Sequence, residues 1–75
     1  MAKNILNMIL WHPDMKIADC EVTYLHRGAR GNLKTIQGSK IKKLERGFIV
    51  LDDENQIPLH RIIRIECSQK IIWKK

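Results

Sequence analysis

IPLHRIIRI, residues 57–65, places one histidine and two arginines inside a run that is otherwise apolar apart from its proline. A strand that only filled a core would not carry three such groups, since charged side chains are seldom fully buried unless they are paired. Pro58 has no N–H to donate to a strand ladder, so it marks a strand start or an edge. We therefore expect His60 and Arg61 at the mouth of the strand, where a rigid scaffold commonly presents recognition groups.

The parity of the remaining residues in this stretch predicts which side chains are buried. Successive side chains of a strand point to opposite faces, which assigns Ile63 and Ile65 to the core face and Arg64 to solvent. The later part of the stretch is then structural, and its entrance is the part available for function.

Other segments also have the pattern of strands. Residues 19–27 alternate between two faces, and the remaining strands are predicted at 33–37, 41–44, 48–51 and 70–74, separated by glycine-containing or polar turns. A short helix is predicted to begin with Asn4 as its cap and to end at Trp11, because Pro13 disfavours helical backbone at the preceding residue.

These elements predict one α+β domain over residues 1–75. A short N-terminal helix packs on a curved, mostly antiparallel sheet of about five strands, which can close into a partial barrel. Abundant isoleucine favours such a sheet, because β-branched side chains suit a pleated, half-buried surface. Trp11 is expected to be an anchor in the core or at its rim, and Trp73 to pack in the core or at a strand edge.

The charge of the chain indicates a polyanionic partner. The formal net charge is +6 on 75 residues, and an excess of that size attracts nucleic acid and accelerates the encounter with it. The acidic turn at residues 52–54 is expected to face away from a bound polyanion.

The two cysteines, Cys20 and Cys67, form no CxxC pair and follow no signal peptide. Free buried thiols in a reducing compartment are therefore expected rather than a disulfide. The spacing of the cysteines and histidines fits no zinc site, so neither a metal nor another cofactor is predicted. No apolar run is long enough to cross a bilayer, and we expect a soluble cytoplasmic protein without a membrane partner.

Two dipeptides carry the same pair of functional groups, an imidazole followed by a guanidinium: His26 with Arg27 and His60 with Arg61. An arginine fork can hold two phosphate oxygens, and a histidine near neutral pH can donate a hydrogen bond and become positive when an anion binds. Arg30 adds a further cation in the glycine-containing loop after the first pair. If the strand at residues 19–27 and the strand at residues 57–65 are neighbours in the sheet, both pairs can contact one phosphate.

Catalysis is the competing interpretation of the same residues. His26 and His60 would suffice as acid and base for opening a phosphodiester, which gives an RNA-end phosphoesterase as one alternative. The sequence has no P-loop or nucleophile elbow, and no carboxylate is evidently placed to orient either imidazole. Binding without turnover is therefore favoured. Two further alternatives are a general RNA-binding or scaffolding module without end preference and a protein-interaction subunit.

Four motifs in their order along the chain resemble a small archaeal family described as the RNA cyclic-group end recognition domain. They are ILNMILWHPD at 5–14, VTYLHRG at 22–28, IPLHRI at 57–62 and IIW at 71–73. The resemblance implies recognition of RNA ends that carry a 2′,3′-cyclic phosphate or a 2′-phosphate, in RNA processing or repair.

The resemblance also implies roles for particular residues and partners. His26, Arg27, His60 and Arg61 would be the recognition residues, and the RNA would be bound through its 3′ terminus. RNA-processing enzymes would be further partners. The protein would not itself be an enzyme.

Overall fold

The computed structural model describes residues 2–26, 28 and 30–75. One α-helix, α1 (Ala2–Trp11), precedes seven strands. The strands are β1 (Cys20–Leu25), β2 (Leu33–Gln37), β3 (Ile41–Glu45), β4 (Phe48–Leu51), β5 (Gln56–Pro58), β6 (Ile62–Cys67) and β7 (Lys70–Lys74). Short 3₁₀ turns lie at Ile17–Asp19, Arg30–Asn32, Gly38–Lys40 and Leu59–Arg61.

The strands form two antiparallel sheets, one with the order β2-β1-β6-β7 and the other with the order β3-β4-β5. The predicted α+β class with an N-terminal helix is confirmed. The prediction of one curved sheet of about five strands is wrong, since there are seven strands in two sheets. Within the described residues these sheets do not close into a barrel.

The course of residues 57–65 explains why the strands form two sheets and not one. It is not one strand: β5 ends at Pro58, a 3₁₀ turn follows, and β6 begins at Ile62. β5 is the end strand of the three-stranded sheet, whereas β6 lies inside the four-stranded one. The chain therefore uses Leu59–Arg61 to pass from one sheet to the other, and His60 and Arg61 lie at the junction.

A β-bulge makes part of the predicted parity of β6 wrong: Ile65 is buried as predicted, but Ile63 is not. Thr23 pairs with Arg64 but the next residue, Tyr24, pairs with Ile62, so Ile63 is an extra residue in the ladder. The extra residue reverses the alternation. Ile62 and Ile65 are therefore both buried, whereas Ile63 is only half-buried.

Helix α1 covers the core with two fully buried side chains, Leu6 and Ile9. The helix ends at Trp11 as predicted, but it begins at Ala2, so Asn4 lies inside it and is not its cap. The expectation for Trp11 is wrong, since 86% of this residue is exposed. Trp73 packs against the core while partly exposed, which confirms its predicted role.

At one end of β1, Cys20 and Cys67 form a disulfide, so the prediction of free thiols is wrong. The two residues lie directly opposite each other on the neighbouring strands β1 and β6. The two cysteines are 47 residues apart along the chain, so their spacing alone did not indicate that the strand register brings them together. The inference of a reducing compartment loses its basis, and the cellular location stays a prediction. No helix among the described residues is long and apolar enough to cross a membrane.

Beside the disulfide, the Gly38–Lys40 turn packs on the Ile17–Asp19 turn. A Cβ atom at Gly38 would overlap the carbonyl oxygen of Ile17. Glycine is therefore required here by the close approach of two backbone segments, and not by an unusual backbone angle.

Candidate functional site

A cleft of about 570 Å³ lies between the two sheets. Its walls come from the end strands β2 and β5, together with the end of β1, the end of β4 and the turn after it. Its volume is within the range of small-ligand sites, roughly 300 to 1,000 Å³. The lining residues are Tyr24, His26, Lys34, Thr35, Ile36, Gln37, Lys40, Leu51, Asp53, Asn55, Gln56, Ile57, Pro58 and Arg61.

One end of the cleft is cationic because basic side chains from β2, from the residue just after β1 and from the turn just before β6 line it. Tyr24 on β1 pairs with Lys34 on β2 and with Ile62 on β6. His26 lies two residues beyond Tyr24, and Arg61 immediately precedes Ile62. Adjacent strands are about 4.8 Å apart, so the three basic residues lie near each other at the same end of the four-stranded sheet. We call His26, Lys34 and Arg61 the cationic end.

The structure brings together one member of each predicted His-Arg pair. His26 and Arg61 both line the cleft and are exposed. His60 is exposed on the 3₁₀ turn but is not among the lining residues; its carbonyl oxygen accepts a hydrogen bond from Nζ of Lys75 at 3.2 Å. Arg27 lies outside the described residues, and so does the side chain of Arg30. The binding roles of all five residues stay predictions.

Sequence analysis missed two lysines that line the cleft. Lys34 is opposite Tyr24 in the β1–β2 hairpin, so the register of that hairpin was the signal that could have found it. Lys40 lies in the 3₁₀ turn after β2, and no local pattern indicated that this turn faces the second sheet.

The other part of the cleft is polar and includes a carboxylate. The expectation that the acidic turn faces away from the site is wrong for Asp53, which lines the cleft. Oδ1 of Asp53 accepts a hydrogen bond from the backbone N–H of Asn55, and Oδ2 accepts one from Nδ2 of the same residue, both at 3.0 Å. Gln37 and Gln56 line the cleft as well. We call Gln37, Asp53, Asn55 and Gln56 the amide end.

Tyr24 lies on the cleft wall and is 6% exposed. Burial raises the pKa of its phenol, and the negative charge of Asp53 raises this pKa further. The hydroxyl therefore stays protonated at neutral pH and can donate a hydrogen bond. Its ring meets the ring of His26 edge to face, with centroids 5.9 Å apart, which orients the imidazole beside the cationic end.

The chemistry of the two ends differs. An anion is favoured at the cationic end, where a guanidinium, an ammonium and an imidazole can donate hydrogen bonds to it. A phosphate is disfavoured beside Asp53, whereas neutral N–H donors are favoured there. Among the described residues, no group of three or more histidine, cysteine or acidic side chains is arranged to hold a metal ion.

Comparison with known proteins gives a consistent match over the whole chain. The model of the MJ1316 RNA cyclic group end recognition domain matches residues 1–75. A UPF0248 protein of Methanocaldococcus jannaschii is 44% identical, with 100% of this chain and 94% of the relative covered. A UPF0248 protein of Methanococcus maripaludis is 43% identical, with 100% and 99% covered.

A more distant UPF0248 protein, from Saccharolobus islandicus, is 34% identical, with 97% of this chain and 96% of the relative covered. No solved structure matches.

Proposed function

Since the chain belongs to the family of the MJ1316 RNA cyclic group end recognition domain, we propose that it binds RNA 3′ termini that carry a 2′,3′-cyclic phosphate. The terminal phosphate is held at the cationic end of the cleft. The observation that carries this proposal is that His26, Lys34 and Arg61 line one cleft, at the same end of the adjacent strands β1, β2 and β6. A role in RNA processing or repair follows from the same proposal, because cyclic phosphates mark RNA ends left by cleavage.

Each basic residue has a distinct part in this proposal. Arg61 holds two non-bridging oxygens of the phosphate with its planar fork, which a lysine cannot do. Lys34 contributes a point charge from β2, in the same sheet. His26 donates a hydrogen bond, and the edge contact with Tyr24 limits the rotation of its ring. The remaining positive charge attracts the RNA without selecting its end.

The proposal is one of binding, and the phosphoesterase alternative stays a prediction. That alternative assigns acid and base roles to His26 and His60, of which His26 lines the cleft. RNAs that end in a cyclic phosphate test binding and turnover together, because turnover would hydrolyse the cyclic phosphate to an open phosphomonoester during incubation.

The deciding experiment compares the affinities of short RNAs with one sequence and different 3′ ends. The ends are a 2′,3′-cyclic phosphate, a 2′-phosphate, a 3′-phosphate and an unmodified diol, and binding is measured at several salt concentrations. We expect the cyclic phosphate to bind most tightly. Equal affinities for all ends, with a steep salt dependence, would support a general RNA-binding module and overturn end recognition.

Arg61→Ala tests the site itself. A charge-assisted contact is worth roughly 1.5 to 3 kcal/mol, so the affinity for the cyclic phosphate end should fall by on the order of ten- to a hundredfold. The affinity for the diol should change little. Lys70→Ala is the control, since Lys70 is an exposed cation on β7, at the edge of the four-stranded sheet opposite to β2. An equal loss in both variants would mean that only bulk charge matters.

A further inference from the structure

Asp53 is the only acidic residue among the described residues that line the cleft. A carboxylate in the binding cleft of a chain with a net charge of +6 opposes a polyanion unless it contacts a neutral hydrogen-bond donor of the ligand. The part of the ligand beside Asp53 is therefore not phosphate. In an RNA end whose phosphate occupies the cationic end, the donor-bearing group next in line is the terminal base.

The carboxylate of Asp53 is held in a fixed orientation. Each of its oxygens accepts one hydrogen bond from Asn55, one from the backbone and one from the side chain. A carboxylate offers about four acceptor positions, so two remain for a ligand. The ion pairs between described residues are Lys42–Glu54, Lys43–Glu45 and Arg64–Glu66. Asp53 belongs to none of these ion pairs, although Lys40 lines the same cleft.

Tyr24 completes the pattern with a donor. Its hydroxyl takes part in none of the side-chain hydrogen bonds between described residues. Tyr24 and Asp53 both line the cleft, and the negative charge of Asp53 adds to burial in raising the pKa of the phenol. The wall of the cleft thus offers one hydroxyl donor close to a carboxylate that can accept two further hydrogen bonds.

We infer that Asp53 and Tyr24 select guanine as the terminal base of the bound RNA. This inference rests on the proposed function and adds the identity of the base to it. The Watson–Crick edge of guanine presents N1–H and N2–H side by side, which a carboxylate can accept together, and O6, which can accept from the hydroxyl.

The other three bases do not match this wall as well. Adenine and cytosine each place one amine beside a ring nitrogen that only accepts, and this nitrogen would face the carboxylate. Uracil has a single N–H between two carbonyl oxygens. Each of them would leave a lone pair of the base opposite a negative charge.

The first test uses the unmodified protein and short RNAs that differ only in the base that carries the cyclic phosphate. We expect the guanine end to bind roughly tenfold more tightly than the other three, as one bidentate contact implies. Replacing guanine with hypoxanthine removes the N2 amine alone and should weaken binding by roughly three- to tenfold. Equal affinities for all five bases would overturn the inference.

Asp53→Asn places a donor amine beside one oxygen and should reduce the preference for guanine to less than roughly twofold. Asp52→Asn is the matched control, because Asp52 is the exposed neighbour and is not a lining residue; it should keep the preference. A guanine preference that persists in Asp53→Asn would assign the selection to other residues. Thermal unfolding of both variants checks that they are folded, and the hypoxanthine result does not depend on either of them.

The failure of this inference and that of the proposed function give different results. Base selection compares different bases on one kind of end, whereas end recognition compares different ends on one base. If all bases bind equally but the cyclic phosphate still binds more tightly than the diol, the proposed function stands and the inference fails. If guanine is preferred but the cyclic phosphate and the diol bind equally tightly, the inference stands and the proposed function fails.

Discussion

The two ends of strand β1 have opposite properties. At its beginning, Cys20 is covalently joined to Cys67, and the backbone N–H of Ser68 donates to the carbonyl of Asp19 at 3.2 Å. At its other end, Tyr24 faces the cleft, and the exposed His26 follows just beyond the strand. One strand therefore fixes the fold at its start and presents the candidate site at its finish.

The two ends of β1 differ in the contacts that their residues make within the protein. The closed end, which we define as Cys20, Cys67, Gly38 and Ile17, consists of backbone contacts and a covalent bond. The cationic end contains basic groups, and none of them belongs to an ion pair between described residues. Basic groups held close together without carboxylates repel each other, and an anionic ligand removes that repulsion. Stability and binding should therefore respond to different substitutions.

The largest effect is expected from removing the disulfide. Cys20→Ser combined with Cys67→Ser releases a crosslink between residues 47 positions apart, and the chain-entropy account predicts a loss of about 4 kcal/mol in the free energy of unfolding. Denaturant unfolding measures this loss, and the reduced wild-type protein is the control. The RNA affinity of the folded variant should equal that of the wild type. An affinity that falls along with stability would show that the two ends are coupled.

A smaller loss is expected from Gly38→Ala. The added methyl group would overlap the carbonyl oxygen of Ile17, so the two 3₁₀ turns must separate. Overpacking of this kind costs about 1 to 3 kcal/mol in the free energy of unfolding. Ser39→Ala, at the exposed neighbouring position, should change stability by less than about 0.5 kcal/mol. Wild-type stability in Gly38→Ala would contradict the close packing of the turns.

The smallest effect is expected from Lys34→Gln, which changes the cationic end alone. Lys34 is an exposed point charge without a fork, so its loss should lower the affinity for cyclic phosphate ends by roughly two- to fivefold. The slope of log affinity against log salt should fall by about 1. Lys70→Gln is the control of equal charge. An unchanged affinity in Lys34→Gln, or a large loss of stability, would remove Lys34 from the site.

The local pattern of the sequence predicted several elements correctly. The strand at Leu33–Gln37 and the closing strand at Lys70–Lys74 have the predicted bounds, and α1 ends at Trp11. These features depend on residues that are near each other in the chain, such as Pro13 after the helix and Gly38 after β2. His26 and Arg61 line one cleft and His60 does not, whereas Arg27 lies outside the described residues; the convergence of the two dipeptides on one phosphate stays a prediction.

The errors concern features that depend on distant residues. The bulge at Ile63 places Ile62 in the core instead of Ile63, and it arises from the fit between β6 and β1. Trp11 lies on the exposed side of α1. Apolar residues occur on all sides of this helix, so the sequence did not indicate which side would be exposed. Asp53 lines the cleft because the turn after β4 meets the Gly38–Lys40 turn, where the backbone N–H of Asp52 donates to the carbonyl oxygen of Lys40 at 2.9 Å.

The sequence by itself determined the bounds of β2, β4 and β7 and the end of α1, because side-chain alternation, proline and glycine act on their own neighbourhood. It also determined an excess of positive charge and hence an anionic partner. Only the tertiary structure decided that residues 57–65 cross between two sheets, that Cys20 meets Cys67, and that Lys34 and Asp53 line the cleft. These outcomes depend on strand pairing and register, which are set by the packing of the whole core and not by any one segment.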